Sequence, residues 1–190
     1  PVRGVDLPHV VQAWDGLQNR VFTGKRVVVI GGGAVGVETA LFLADKGTLS
    51  ADAVKFLLVN QAERPDDLYR MATTGTKKIV LVEMMKRMGK DIGLSTRWGL
   101  MQDLKRFGVK TLADTKALQI TETAVIVETD EKTQKIPADS VVLAMGAASH
   151  RPLLPILEKM KIPFSVAGDA GKVGLAYDAV HSGFAAGSDL

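Results

Sequence analysis

Three glycines set as G-x-G-x-x-G are the residues of this chain best placed to do chemistry. They stand in the run Val27-Val28-Val29-Ile30-Gly31-Gly32-Gly33-Ala34-Val35-Gly36. The pattern alone is common, but here an apolar β-branched run precedes it and a helix-spaced run follows it, which is the context it requires. Each glycine then has a task. Gly31 turns the chain sharply out of the strand, Gly33 leaves room for a pyrophosphate to approach the backbone, and Gly36 lets the helix pack closely. The amides of Ala34 and Val35, at the positive end of the helix dipole, are the donors such an anion would meet.

The same fingerprint asks for an acid at the end of the second strand, roughly 20 residues on, to accept from the adenosine ribose hydroxyls. Glu83 ends a second apolar run, Lys78 to Val82, but stands much further along than that. The segment 48–77 accounts for the difference if it is an insertion, so the acid and the insertion support each other. Met84 is a candidate wall for an adenine pocket, beside Met85. Lys86, Arg87 and Lys90 follow at once and could pair with a 2′-phosphate. A carboxylate at Glu83 facing the same place repels that phosphate, so the expectation is NADH, with NADPH as the weaker choice.

These residues need elements to hold them. Arg26 to Ile30, Lys78 to Val82, Val109 to Leu112 and Ser140 to Ala144 read as strands of a sheet. The first, second and last are continuous apolar runs, as in a parallel sheet covered on both faces. Ala34 to Lys46 and Ser95 to Phe107 have helical spacing, with Gly47 and Gly108 as stops. Within 48–77, Ser50 can cap one short helix, and Pro65 with Asp66 and Asp67 can open another. Ala117 to Thr121, Ala124 to Glu128 and Gln134 to Pro137 read as a β-meander with one buried face. Val10, Val11, Trp14 and Leu17 suggest a short helix within a lead-in. Leu153 to Met160 reads as a helix, Phe164 to Ala167 as a short strand, and a last helix runs toward Leu190.

The predicted fold class is therefore α/β: a Rossmann-like three-layer domain with a parallel sheet, helices on one side and a three-stranded β-meander on the other. A helical hairpin is inserted at 48–77. The domain reading is 1–24 as a linker, 25–150 as the NAD(P)-binding domain, and 151–190 as a return to a neighbouring domain. A start at Pro1 and an end inside a helix suggest a piece of a longer protein.

Composition narrows the function. The chain has 190 residues, 46% of them hydrophobic and 24% charged, which is ordinary globular usage. Aromatics are 5% and the net charge is only +3, so neither a stacking platform nor a phosphate-binding face for nucleic acid is expected. With no cysteine, disulfides, thiolate zinc and iron–sulfur ligation fall outside this chain. His9, His150 and His181 form no spaced ligand set, so no metal is assigned. Without a long apolar run or a signal-type leader, no membrane contact is expected and the cytoplasm is the default compartment.

The segments Gly31 to Ala40, Val82-Glu83 and Val141 to Gly146, with the meander between them, resemble the nicotinamide-nucleotide domain of the two-dinucleotide flavoproteins. Within that superfamily the chain is similar to the branch holding 2-enoate reductase, 2,4-dienoyl-CoA reductase and trimethylamine dehydrogenase. The helical insert before Glu83 and the run Asp91-Ile92-Gly93-Leu94-Ser95-Thr96-Arg97-Trp98 look most like the 2-enoate reductase side.

The resemblance implies a module that binds NADH and delivers hydride to FAD in a parent enzyme reducing activated C=C bonds. It implies that Glu38 points toward the nicotinamide end and that Gly146 ends the last strand of the cofactor domain. Asp169, in Val166-Ala167-Gly168-Asp169, matches an aspartate that contacts the flavin. FAD, FMN and an iron–sulfur cluster would belong to parts of the parent outside this chain: the rest of a flavin domain and a (β/α)8 barrel, its partners in the same polypeptide. No catalytic side chain is assigned, because hydride transfer is chemistry between two cofactors. The competing reading is a non-redox nucleotide-sensing Rossmann module, which would need neither the meander nor the Gly-Asp segment.

Overall fold

Four consecutive β-branched residues, Val27 to Ile30, are all buried, and they point alternately to two different cores. Val27 and Val29 join one with Val37, Ala40, Leu43, Leu81 and Leu104. Val28 and Ile30 join the other with Ile120, Val125, Val127 and Ile136. A strand whose successive side chains are all covered sits between two layers. Full burial of each such side chain contributes about 1.5–3 kcal/mol, which is why so regular an apolar run marks the centre of the sheet.

In the computed structural model, which describes residues 2–188, the chain forms two units, Pro1–Met145 and Gly146–Leu190. Pro1 and Asp189–Leu190, where the readings about the two chain ends fall, lie outside the described residues.

The first unit holds a parallel sheet of five strands: β1 (Val10–Gln12), β2 (Arg26–Ile30), β3 (Lys78–Val82), β4 (Lys110–Leu112) and β8 (Ser140–Leu143). Their order is β1-β8-β2-β3-β4. The helices α2 (Ala34–Asp45) and α5 (Leu94–Arg106) supply Val37, Ala40, Leu43 and Leu104 to the core on one face. The antiparallel meander β5 (Thr115–Thr121), β6 (Ala124–Thr129) and β7 (Lys132–Pro137) covers the other. This is the three-layer α/β arrangement that the sequence implied.

The insert is also as expected, a pair of helices: α3 (Ala51–Val59) and α4 (Pro65–Thr73). Ser50 Oγ accepts from the Ala53 amide at 3.2 Å, and Pro65 occupies the first turn of α4. The insert is tied to the far end of α2, where the amide of Thr76 donates to the Lys46 carbonyl (2.9 Å). It therefore lies at the opposite end of that helix from Gly33 to Gly36.

Two local readings are corrected. Val10-Val11-Gln12 forms strand β1, paired with Val141, Val142 and Leu143, and only Ala13–Leu17 is helical (α1). Three residues carry too short a period to separate strand from helix, and the partner that decides it is distant in sequence. In the second unit, Phe164 to Ala167 is not a strand; Phe164 and Val166 are each 40% exposed. That unit comprises α6 (Leu154–Lys159), a 3-10 turn at Gly168–Ala170 and α7 (Ala176–Ser188).

One ion pair clasps the start of β2 to the residue before β8. Asp139 accepts from the Arg26 amide (2.8 Å), from Arg26 Nε (2.9 Å) and from Arg26 Nη2. The guanidinium's hydrogen bonds, then the Arg26 amide, lower the Asp139 carboxyl from 3.8 to about 2. Because the folded value is depressed, the clasp stabilises the fold above the ordinary value and is lost as pH falls through the window between them. Asp139→Asn should lower the thermal midpoint modestly at neutral pH. The gap from the unaltered protein should close as the pH drops from 3.8 toward 2. Thermal unfolding across that range checks it, and an offset independent of pH would rule the clasp out.

Candidate functional site

The strands of the sheet run parallel, so their carboxyl ends share one edge, and the two segments that matter leave from it. β2 ends at Ile30 and passes through the glycines into α2; β3 ends at Val82 and passes into Glu83. In a doubly wound sheet this edge is where ligands bind.

Glu83 does more than stand nearby. Its Oε2 accepts from the Gly32 amide at 2.5 Å, and its Oε1 accepts from the Met85 amide at 2.7 Å. The carboxylate is thus fixed against the glycine turn, with lone pairs left over, since an ionised carboxylate can accept about four hydrogen bonds.

A cleft of about 350 Å³ opens here, lined by Gly32, Gly33, Glu83, Met85, Arg87, Lys90 and Asp91. Of the two adjacent methionines it is Met85 that lines the cleft, while Met84 is 67% exposed.

The start of α2 has the donors an anion needs. The amides of the first turn of a helix have no partner within it, and Gly33 is the N-cap with no side chain to offer. Asp91 takes that role from outside the helix: both of its carboxylate oxygens lie within reach of the Ala34 amide, at 2.9 and 3.0 Å. The Ala34 amide thus already donates to one oxyanion, the Asp91 carboxylate. A Cβ placed on Gly33 would come within 2.9 Å of Asp91 Oδ2, so the glycine leaves the space that the carboxylate fills.

Of the residues singled out from the sequence, Gly31, Gly33, Ala34, Val35, Gly36 and Glu83 come together at this edge. Glu38 is exposed on α2. Gly146 and Asp169 belong to the second unit. There Gly146 has a positive φ of 94°, and Asp169 Oδ1 accepts from the Gly174 amide at 3.2 Å.

Sequence reasoning missed Gly32, Met88 and Asp91. A Cβ on Gly32 would lie 2.2 Å from Met88 Sδ and 2.7 Å from Glu83 Cβ, so this glycine is demanded by packing and not by the motif. Met88 is buried in the helix-side core, a rare place for a residue in a basic loop. The third glycine in Gly31-Gly32-Gly33 was the one available signal.

The parallel sheet, the glycine turn at its carboxyl edge and the acid on the next strand define a Rossmann-type nucleotide-binding domain. Residues 3–173 match the family model of pyridine nucleotide-disulphide oxidoreductases, and the chain belongs to that family, whose members bind nicotinamide dinucleotides. It is 46% identical over 176 residues to a metal reductase of Desulforamulus reducens, covering 92% of this chain and 26% of that protein. It is 34% identical over 179 residues to an NADH oxidase of Thermoanaerobacter brockii, covering 92% of this chain and 23% of that protein. A solved 2-naphthoyl-CoA reductase bound to 2-naphthoyl-CoA shares the fold, with a TM-score of 0.75 and 22% identity, over 100% of this chain and 24% of that one. The chain thus spans about a quarter of the length of these relatives. Among the described residues, no helix is long and apolar enough to cross a membrane.

Proposed function

We propose that this chain is the NADH-binding module of a flavin-dependent oxidoreductase. It holds the dinucleotide so that hydride passes to a flavin carried by other parts of the same polypeptide, in an enzyme that reduces activated C=C bonds. The observation that carries the reading is the Glu83 carboxylate, fixed against the glycine turn by the amides of Gly32 and Met85. A carboxylate held there can accept from the two hydroxyls of an adenosine ribose and disfavours a 2′-phosphate. The amides of Gly33 to Val35 would bind the pyrophosphate. Arg87 and Lys90, which line the same cleft, would balance its charge. The relative named NADH oxidase supports the same nucleotide.

The chemistry a bound dinucleotide supplies is hydride; the protein supplies position and charge. Asp169 would face the flavin once the remainder of the flavin domain is present. The 46% identity to a protein named metal reductase favours a second reading of the acceptor, in which the flavin passes its electrons to a metal ion as substrate. Both readings give this chain the same task, because the acceptor site lies in the other parts.

Titration of the isolated chain with NADH, followed by calorimetry or nucleotide fluorescence, tests the assignment. Saturable binding that ADP competes away is expected, and no binding would refute it. The isolated chain should also purify colourless and lack reductase activity. A yellow preparation with a flavin absorption band would show that the flavin site lies here after all. Restoring the remaining parts should bring back NADH-dependent flavin bleaching, which a nucleotide sensor would not show.

A further inference from the structure

Asp91 sits where the proposed ligand has to go. Its two carboxylate oxygens share the Ala34 amide, and Oδ2 lies over the α-carbon of Gly33. That glycine and that amide are the elements a pyrophosphate uses in this fold. One amide hydrogen cannot serve both anions at full strength, and two like charges at contact distance repel.

The loop that carries Asp91 joins β3 to α5 and is anchored along only part of its length. Met88 is buried beside Gly32, the Gly89 amide donates to the Gly32 carbonyl at 2.6 Å, and Arg97 Nε donates to the Met88 carbonyl at 2.9 Å. Beyond that anchor, Lys90 and Asp91 are exposed. They lie between Gly89, with φ of +64°, and Gly93, whose added Cβ would meet nothing within 4 Å. Met88 and Ile92, both packed on the helix-side core, can stay in place while the exposed pair between them turns, with Gly89 supplying the backbone freedom.

We propose that Asp91 is an internal anion that closes the pyrophosphate site, and that the dinucleotide binds by displacing it as Lys90 and Asp91 swing outward beside Gly89, with Ile92 staying on the helix-side core. The proposal rests on the reading of this cleft as a dinucleotide site. The observed affinity is then the intrinsic affinity reduced by the fraction of molecules with Asp91 withdrawn.

Removing the carboxylate should therefore tighten binding, the reverse of what loss of a ligand-contacting residue does. The size follows from the stability of an acidic N-cap: Asp91→Ala should tighten NADH and ADP by roughly three- to thirtyfold. Asp91→Asn keeps shape and some hydrogen bonding without the charge, and should fall between. Adenosine, which has the ribose but no phosphate, should bind all three proteins alike. The ligand-free variants should melt below the unaltered protein, while the NADH-bound forms melt together.

The experiment titrates NADH, ADP and adenosine into the unaltered protein and both variants, with circular dichroism to confirm that each is folded. If Asp91→Ala and Asp91→Asn bind NADH equally or more weakly, or if adenosine gains as much as ADP, the closing role is overturned and the dinucleotide reading stands. If none of the three proteins binds NADH, the dinucleotide reading itself falls, and the closing role with it.

Discussion

Replacing Glu83 by alanine is expected to weaken NADH binding roughly ten- to a hundredfold and to move nucleotide preference toward NADPH. A hydrogen bond from a ribose hydroxyl to an ionised acceptor contributes about 1.5–3 kcal/mol, and about 1.4 kcal/mol is tenfold. One or two such bonds set the loss for NADH. For NADPH the carboxylate would be a liability, because on the proposed reading it would face the 2′-phosphate. Its removal offsets the lost contact and leaves Arg87 and Lys90 in the same cleft to pair with that phosphate.

Glu83 also satisfies two backbone amides, and Gly32, whose amide is one of them, is buried. Part of any loss in the alanine variant will therefore be structural. Glu83→Gln narrows the difference: its amide oxygen still accepts from one of the two backbone amides, while the charge and the second acceptor are lost. The glutamine variant should keep more of its thermal stability than the alanine variant, lose part of its NADH affinity and gain relative affinity for NADPH. Titration of both nucleotides against all three proteins decides. Equal weakening of the two nucleotides, or an unaltered protein that already prefers NADPH, would remove Glu83 from the role given to it.

The parts of the site that could be read in the sequence are those fixed by short-range pattern. A run such as Val27 to Ile30 can be continuously apolar only where both faces are covered, and the structure shows the two cores that cover it. Glu83 could be found because the turn after β2 and the end of β3 are neighbours in any parallel pair, whatever is inserted between them. The register Ile30 opposite Val82 places the glycine turn and the acid side by side.

What was not legible depends on contacts between segments far apart. Asp91 reaches Ala34 across the sheet edge, and nothing in the composition of a basic loop marks one acid as a cap. Met88 against Gly32 is likewise invisible, because the motif treats that position as free. The strand β1 needed β8 to exist: three residues gain strand geometry only by pairing with Val141 to Leu143.

The close approach at Gly36 sets up the largest structural effect. A Cβ there would stand 1.7 Å from the Gly31 carbonyl oxygen and 2.9 Å from its carbon, with Ala144 Cβ at 3.4 Å. The obstacle is the turn's own backbone, which cannot rotate aside as a side chain can. Gly31 cannot yield either. Its φ is +108°, its amide donates to Val82 at 2.9 Å, and its α-carbon faces the Ala144 carbonyl of the neighbouring segment. Gly36→Ala therefore forces the start of α2 away from the strand edge.

Overpacking by one methyl group usually costs about 1–3 kcal/mol. With backbone on the other side, the upper end or more is expected, against a total stability of about 5–15 kcal/mol. The displaced amides would no longer converge on a phosphate, so NADH affinity should fall roughly ten- to a hundredfold, the loss of a hydrogen bond to a charged group at about 1.5–3 kcal/mol. Gly99→Ala is the matched control. It lies inside α5, with nothing within 4 Å of the added carbon. It should raise stability by about 0.4–1 kcal/mol through the unfolded state. Thermal unfolding and NADH titration of the two variants side by side test the argument. A Gly36→Ala protein that melts and binds like the unaltered one would mean that α2 does not start against Gly31 as described.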